Sequence, residues 1–305
     1  MGATVRVFQV DAFTTQRFCG NPAGVVLDAE HLSEQDMRAL ARELNTGDCA
    51  FVLPADGPDH DLRVRFFTPR AEAAFVGHAT LAAHAVLAAL QLSPRPRQRQ
   101  QSGIVEVDTL SASPPRIAIR QPPPPPARAL GETELELVLE ALGLQRADLD
   151  PRCPGAIAGQ SGARVLLGVA QAGVLARARP DFARLSALSA RIGAPGYFLF
   201  TLQPAQAGVF SEARMFCPAL GIEEDPVSGN AHALLGAYLL QQELIRVSAP
   251  GASDAPGIIE FTGAQGHFVD RPGRVSVVLS LEQRQLRSVS IIGDAVIVFE
   301  ASLQF

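Results

Sequence analysis

Apolar and polar positions alternate along much of this chain with the period of an extended strand. Leu62, Val64 and Phe66 point one way while Arg63 and Arg65 point the other. The same reading, with short apolar runs, predicts strands at 5–10, 25–27, 49–53, 62–66, 104–107, 117–119, 165–169, 174–178, 197–202, 208–215, 275–281 and 289–300. Helical periodicity is rarer. Over 31–45, Met37, Leu40, Ala41 and Leu44 form one stripe, and Ser33 followed by Asp36 is a capping signal. Helices are also predicted at 133–142 and at 181–191, where Phe182, Leu185 and Leu188 share a face. One segment fits neither amphipathic pattern. From Ala79 to Leu90 the chain is apolar on every side of a helix, interrupted by His84, so it belongs inside a core. It is too short to span a bilayer.

That segment has a second copy. Arg65-Phe66-Phe67-Thr68-Pro69, then Glu72 and a Gly77-His78 turn, lead into the apolar helix. Arg214-Met215-Phe216-Cys217-Pro218, then Glu223-Glu224-Asp225-Pro226-Val227-Ser228, lead through Gly229-Asn230-Ala231 into another apolar run ending at Leu240. A single repeat of this length implies two similar domains rather than a solenoid. Strands dominate each half and each has one buried helix, which predicts an α+β protein whose sheets wrap a central helix. Five prolines, Pro122 to Pro126, form a stiff linker. The expected domains are 1–121 with 287–305, and 128–286.

Composition narrows the chemistry. The 305 residues carry a net charge of −5, and the one basic cluster, Arg95 to Arg99, is small, so no nucleic-acid partner is expected. The chain contains no lysine. That removes Schiff-base chemistry on an internal lysine and the lysine-bearing phosphate loop. Cys19, Cys49, Cys153 and Cys217 are too dispersed for a zinc site. The N-terminal stretch reads as a strand rather than a signal peptide, so a cytoplasmic protein without membrane attachment is expected.

No G-x-S-x-G elbow is present, and His78, His84 and His232 lack the spacing of a metal site. What remains is acid–base work by Asp48, Glu72, His78, Glu223, Glu224 and Asp225 around the two glycine turns. Each taken alone is an ordinary turn or surface residue, and Asp48 stands where a helix hands over to a strand. Placed together at two matching helix starts, whose unpaired N–H groups favour anions, they point to a small carboxylate substrate.

The segments FQVDAFTTQRFCGNPAGVVL, RFFTPRAEAAFVGHATLAAHAVL, EDPVSGNAHALL and GAQGHFVDRPGRVSVVL resemble the PhzF-like phenazine biosynthesis family over nearly the whole chain. The resemblance implies the diaminopimelate epimerase fold: two domains, each a mostly antiparallel or mixed barrel-like sheet around a central helix, with the active site at their interface. The implied activity is a cofactor-independent isomerisation of a small carboxylate, with no metal. The family's founding substrate is trans-2,3-dihydro-3-hydroxyanthranilate, and a glutamate shuttles the proton with help from a histidine and an aspartate. By position the histidine is His78 and the aspartate Asp225, while the glutamate's place is taken by Asp48, preceded by Gly47 where a serine is usual. One fewer C–C bond shortens the reach by about 1.5 Å. Gly77, Gly229, Asn230 and Asn21 are the expected substrate-binding positions, Asn230 replacing a serine, and a homodimer is expected. Two other readings stay open. One is a non-catalytic binding protein on the same fold. The other is a cysteine-based amino-acid racemase or epimerase, although Val76 and Ser228 precede the two turn glycines where that chemistry wants thiols.

Overall fold

The structure, a computed structural model, describes residues 4–92, 96–160, 162–246 and 257–304. Its contacts divide the chain into Met1–Gln121 with Ile292–Phe305, and Pro122–Ile291.

In the first unit the strands Thr4–Ala12, Asn21–Leu27, Asp48–Pro54, Leu62–Phe67, Arg97–Gln100, Gly103–Ala112 and Pro115–Gln121 pair in sequence order. The last strand, Gln285–Gln304, pairs with both the first and Pro115–Gln121 and closes the ring. Two neighbours are parallel, and parallel neighbours need a crossover. The helix Glu34–Leu44 supplies the first. Ser33 caps it, with the reciprocal bond from Asp36, and its stripe of Met37, Leu40 and Ala41 is buried. The helix Gly77–Ala89 supplies the second, between Leu62–Phe67 and Arg97–Gln100. Every residue from Ala79 to Ala88 is buried, because this helix packs against strands on several sides of the ring. Burying a Leu or Val here stabilises by roughly 1.5–3 kcal/mol each.

The second unit repeats the order. Arg164–Gly168 and Gly196–Thr201 are parallel, Gly196–Thr201 and Ser211–Cys217 antiparallel. Ser211–Cys217 and Gly257–Gln265 are parallel across the helix Gly229–Gln241, and Gly257–Gln265 is antiparallel to Gly273–Glu282. Each unit also hangs a short strand on the one before its central helix: Glu72–Ala73 on Leu62–Phe67, and Ile222–Asp225 on Ser211–Cys217. The α+β class, with barrel-like sheets around one buried helix per half, is thus as expected.

Two local expectations fail. Residues 174–178 are not a strand: 174–177 belong to the helix Ala172–Arg177 and Ala178 caps its end. Val174 and Leu175 are its buried positions and the cap Ala178 is buried with them, a helical spacing set among good helix formers. The polar stretch after Leu90 conceals a strand, Arg97–Gln100, whose inward residues are Gln98 and Gln100 rather than apolar side chains. Gln98 bonds His84 Nε2 at 3.1 Å and Thr80 Oγ1 at 3.3 Å on the central helix, and Gln100 at 2.9 Å. Arg95 of the basic cluster lies outside the described residues. Arg97 and Arg99 form ion pairs with Asp61 and Asp59. No helix among the described residues is long and apolar enough to cross a membrane.

Candidate active site

Asp48 opens the strand Asp48–Pro54, in parallel register with Ala23. The three residues before it set its direction. Asn45 ends the preceding helix in the left-handed conformation, and Gly47 is left-handed too, at φ 88°. A serine at 47 would be strained there, so this chain's glycine permits a backbone path that an L side chain resists. Thr46 ties the loop down, its hydroxyl donating to the Asp48 carbonyl at 3.3 Å.

The Asp48 carboxylate then meets His78. Oδ2 lies 3.6 Å from His78 Nε2, an ion-pair distance longer than a hydrogen bond. The two side chains are only 14% and 13% exposed. Burial pushes the Asp48 carboxyl up to about 6. A protonated His78 opposes that rise, since an imidazolium favours the carboxylate beside it. His78 is the second residue of the central helix, whose cap position, Val76, offers no side-chain acceptor to the first N–H groups. The helix therefore begins at Gly77 with donors directed toward its N-terminal end.

In the second unit Asp225 ends the strand Ile222–Asp225 and is half-buried. A single buried glutamine fixes the turn that follows. Gln265 Nε2 donates to the Asp225 carbonyl at 2.7 Å, and its Oε1 accepts from the Ser228 N–H at 3.0 Å. Ser228 caps the second central helix through Ala231 N, and its carbonyl accepts from His232 Nδ1 at 2.9 Å. His232, like His84, is fully enclosed, and burial lowers both to about 4, so both are neutral structural imidazoles at neutral pH. Asn230 is half-buried at the second helical position, and Asn21 is buried at the start of its strand in the first unit.

Strand register converts the repeat into residue-by-residue equivalence. With Arg65 matched to Arg214, the pairs Cys49 with Phe67 and Tyr197 with Phe216 equate Asp48 with Gly196. The pairs Phe66 with Ala73 and Met215 with Asp225 equate Ala73 with Asp225. On the helices Gly77 matches Gly229, and His78 matches Asn230. The candidate groups are thus distributed asymmetrically: a carboxylate and imidazole from one copy, a different carboxylate from the other.

Three sequence candidates belong elsewhere. Glu72 accepts a two-pronged bond from Arg65, at 2.8 and 2.7 Å, and Glu224 the same from Arg214, at 2.9 and 2.7 Å. Each arginine also lies over the phenylalanine two residues on, Phe67 or Phe216. These are the structural clasps of the repeat, and Arg65 holds the Glu72 carboxyl below its usual range. Glu223 faces solvent on the other side of its strand. Cys217 is buried, which pushes its thiol up to about 12, the opposite of a reactive cysteine.

Sequence and fold comparisons identify the family. The profile of the phenazine biosynthesis-like protein family matches residues 10–301. An uncharacterised isomerase of Clostridium acetobutylicum is 34% identical over 301 residues, 97% of each chain. The uncharacterised isomerase YddE of Escherichia coli K12 is 35% identical over 306 residues, again 97% of each chain. The crystal structure of a Bacillus anthracis phenazine biosynthesis protein of the PhzF family, 28% identical, superposes with a TM-score of 0.84 over 99% of this chain and 100% of its own. A hydroxyproline epimerase of Agrobacterium vitis shares the fold at a TM-score of 0.64, covering 100% of this chain and 94% of its own, with 10% identity. The chain belongs to the phenazine biosynthesis-like family and is an isomerase of the PhzF type.

Proposed function

We propose that this isomerase moves a proton within a small carboxylate-bearing substrate without a cofactor. Asp48 is the proton shuttle, His78 its partner, and Asp225 the group that orients the substrate or returns the proton. The observation that carries this reading is the buried Asp48 beside His78, 3.6 Å apart, with the carboxyl raised to about 6. An ordinary aspartate, near pKa ~3.9, is almost wholly ionised at neutral pH and a poor acid. At about 6, roughly one molecule in ten carries the proton at pH 7, so the same group serves as base and then as acid. The carboxylate takes a proton from a substrate C–H, the electron pair shifts along the conjugated system, and the proton is delivered to another carbon. Net charge is unchanged, so no electron acceptor is needed. His78 donates to the carboxylate when protonated and keeps the spent base from drifting.

The absence of lysine supports this choice of proton carrier, since it removes the commonest alternative amine base. Reactive thiols find no support in the burial of Cys217. The test is solvent-hydrogen exchange. The purified protein is incubated in D2O with a set of unsaturated and cyclic carboxylates, including the phenazine precursor, and deuterium is followed by NMR and mass spectrometry. Incorporation into at least one carboxylate, dependent on Asp48, is expected. No incorporation into any of them would favour the non-catalytic binding reading instead.

A further inference from the structure

The second barrel carries an arginine next to the position that Asp48 occupies in the first. Arg164 opens the strand Arg164–Gly168 and lies in parallel register with Gly196, the counterpart of Asp48. Gly196 has no room for a side chain. A Cβ there would stand 2.8 Å from Arg164 Cδ and 3.0 Å from its Nε. The arginine stem thus fills the space that a residue at 196 would need.

Its charge is not neutralised. Arg65 and Arg214, which like Arg164 are partly buried, each grip a carboxylate with both prongs. Arg164 has no carboxylate within ion-pair range among the described residues. Its Nη1 donates to the carbonyls of Gly162 at 2.7 Å and Ala163 at 3.0 Å, and its Nε is buried with no partner. A partly buried guanidinium whose Nε donor is buried and unused is costly unless an anion completes it. The surroundings fit such an anion. Arg164 Nη1 and Asn230 Nδ2 approach the same point, 3.7 and 4.0 Å from where a side chain at Gly162 would begin. The Cβ point at Gly196 is also 2.8 Å from Met215 Cε, and Met215 pairs with Asp225, so the arginine stem lies beside the strand that carries the Asp225 turn.

We propose that Arg164 anchors the carboxylate of the substrate, with the Asn230 amide beside it. This rests on the reading of the protein as an isomerase of small carboxylates. A planar guanidinium suits a carboxylate better than a point charge, because it offers two parallel donors.

The experiment uses the whole protein and three matched pairs of probes: anthranilate and anthranilamide, benzoate and benzamide, cyclohexanecarboxylate and its amide. Titration by calorimetry or NMR at pH 8 and low salt measures the preference for acid over amide. At least one carboxylate should bind about tenfold to a hundredfold more tightly than its amide, the range of a charge-assisted hydrogen bond. Arg164→Gln should erase that preference and Arg164→Lys should keep part of it. Phenylglyoxal labelling of the unaltered protein, mapped by mass spectrometry, covers the case in which a variant does not fold. Arg164 should be labelled, and protected by the carboxylate but not by the amide. The proposal is overturned if no carboxylate outbinds its amide, if Arg164→Gln keeps the preference, or if carboxylates leave Arg164 labelling unchanged. None of these readouts needs turnover. Their failure with Asp48-dependent exchange intact would remove Arg164 alone, and the converse would remove the proton shuttle alone.

Discussion

A carboxyl that titrates near 6 in the folded chain weakens the fold over a defined pH window. Between the ordinary value of 3.8 and about 6, folded Asp48 keeps a proton that the unfolded chain has released. Stability from this group is therefore full below pH 3.8 and is lost as pH rises through about 6. The loss is about 3 kcal/mol, from ~1.4 kcal/mol for each pH unit separating the folded and unfolded values, less whatever an imidazolium at His78 returns. Asp48→Asn should accordingly gain on the natural protein by about 1–3 kcal/mol between pH 4.5 and pH 8. Urea denaturation at the two pH values measures this, and an identical difference at both would show that Asp48 is solvated. The sequence marked Asp48 as a carboxylate at a helix-to-strand junction, but its burial depends on contacts distant along the chain. For the same reason Glu72 and Glu224 looked equivalent to it until Arg65 and Arg214 were seen to hold them.

At the scale of elements, the Asp225 turn depends on one side chain from another strand. Gln265 satisfies a partly buried carbonyl at Asp225 and a buried N–H at Ser228. Gln265→Leu leaves both unpaired, at about 1–3 kcal/mol each. A combined loss of about 2–5 kcal/mol is expected in chemical denaturation, and one under about 0.5 kcal/mol would mean that water replaces the glutamine. The Arg214–Glu224 clasp gives a second prediction. Arg214→Met should cost about 3–5 kcal/mol by stranding a buried carboxylate, while Arg214→Met with Glu224→Leu should cost less. A larger cost for the double variant would show that the pair stabilises beyond its own desolvation. Most strands and the amphipathic helices were legible because their periodicity is carried by hydrophobic residues. Arg97–Gln100 was not, because its inner face is glutamine. Val174 and Leu175 misled because two adjacent apolar residues suit a strand or a helix equally.

Across the whole molecule the repeat made the fold readable: R-x-F, a break, an acid and a glycine turn recur before each core helix. Register adds what similarity alone concealed, namely where the copies differ. Gln98 beside Thr80 in one barrel corresponds to Gly263 beside His232 in the other, so a large strand residue and a small helix residue have exchanged sizes. The chemistry diverges in the same way, Asp48 and His78 in one copy facing Gly196 and Asn230 in the alignment of the other. The most direct test compares Asp48→Asn with Asp48→Glu in solvent-hydrogen exchange on whichever carboxylate the natural protein labels. Asn should abolish exchange, by at least about a hundredfold as for loss of a positioned acid–base group, while Glu retains or improves it. Full exchange in the Asn variant would contradict the account, leaving Asp48 a turn residue and the proton shuttle at another group.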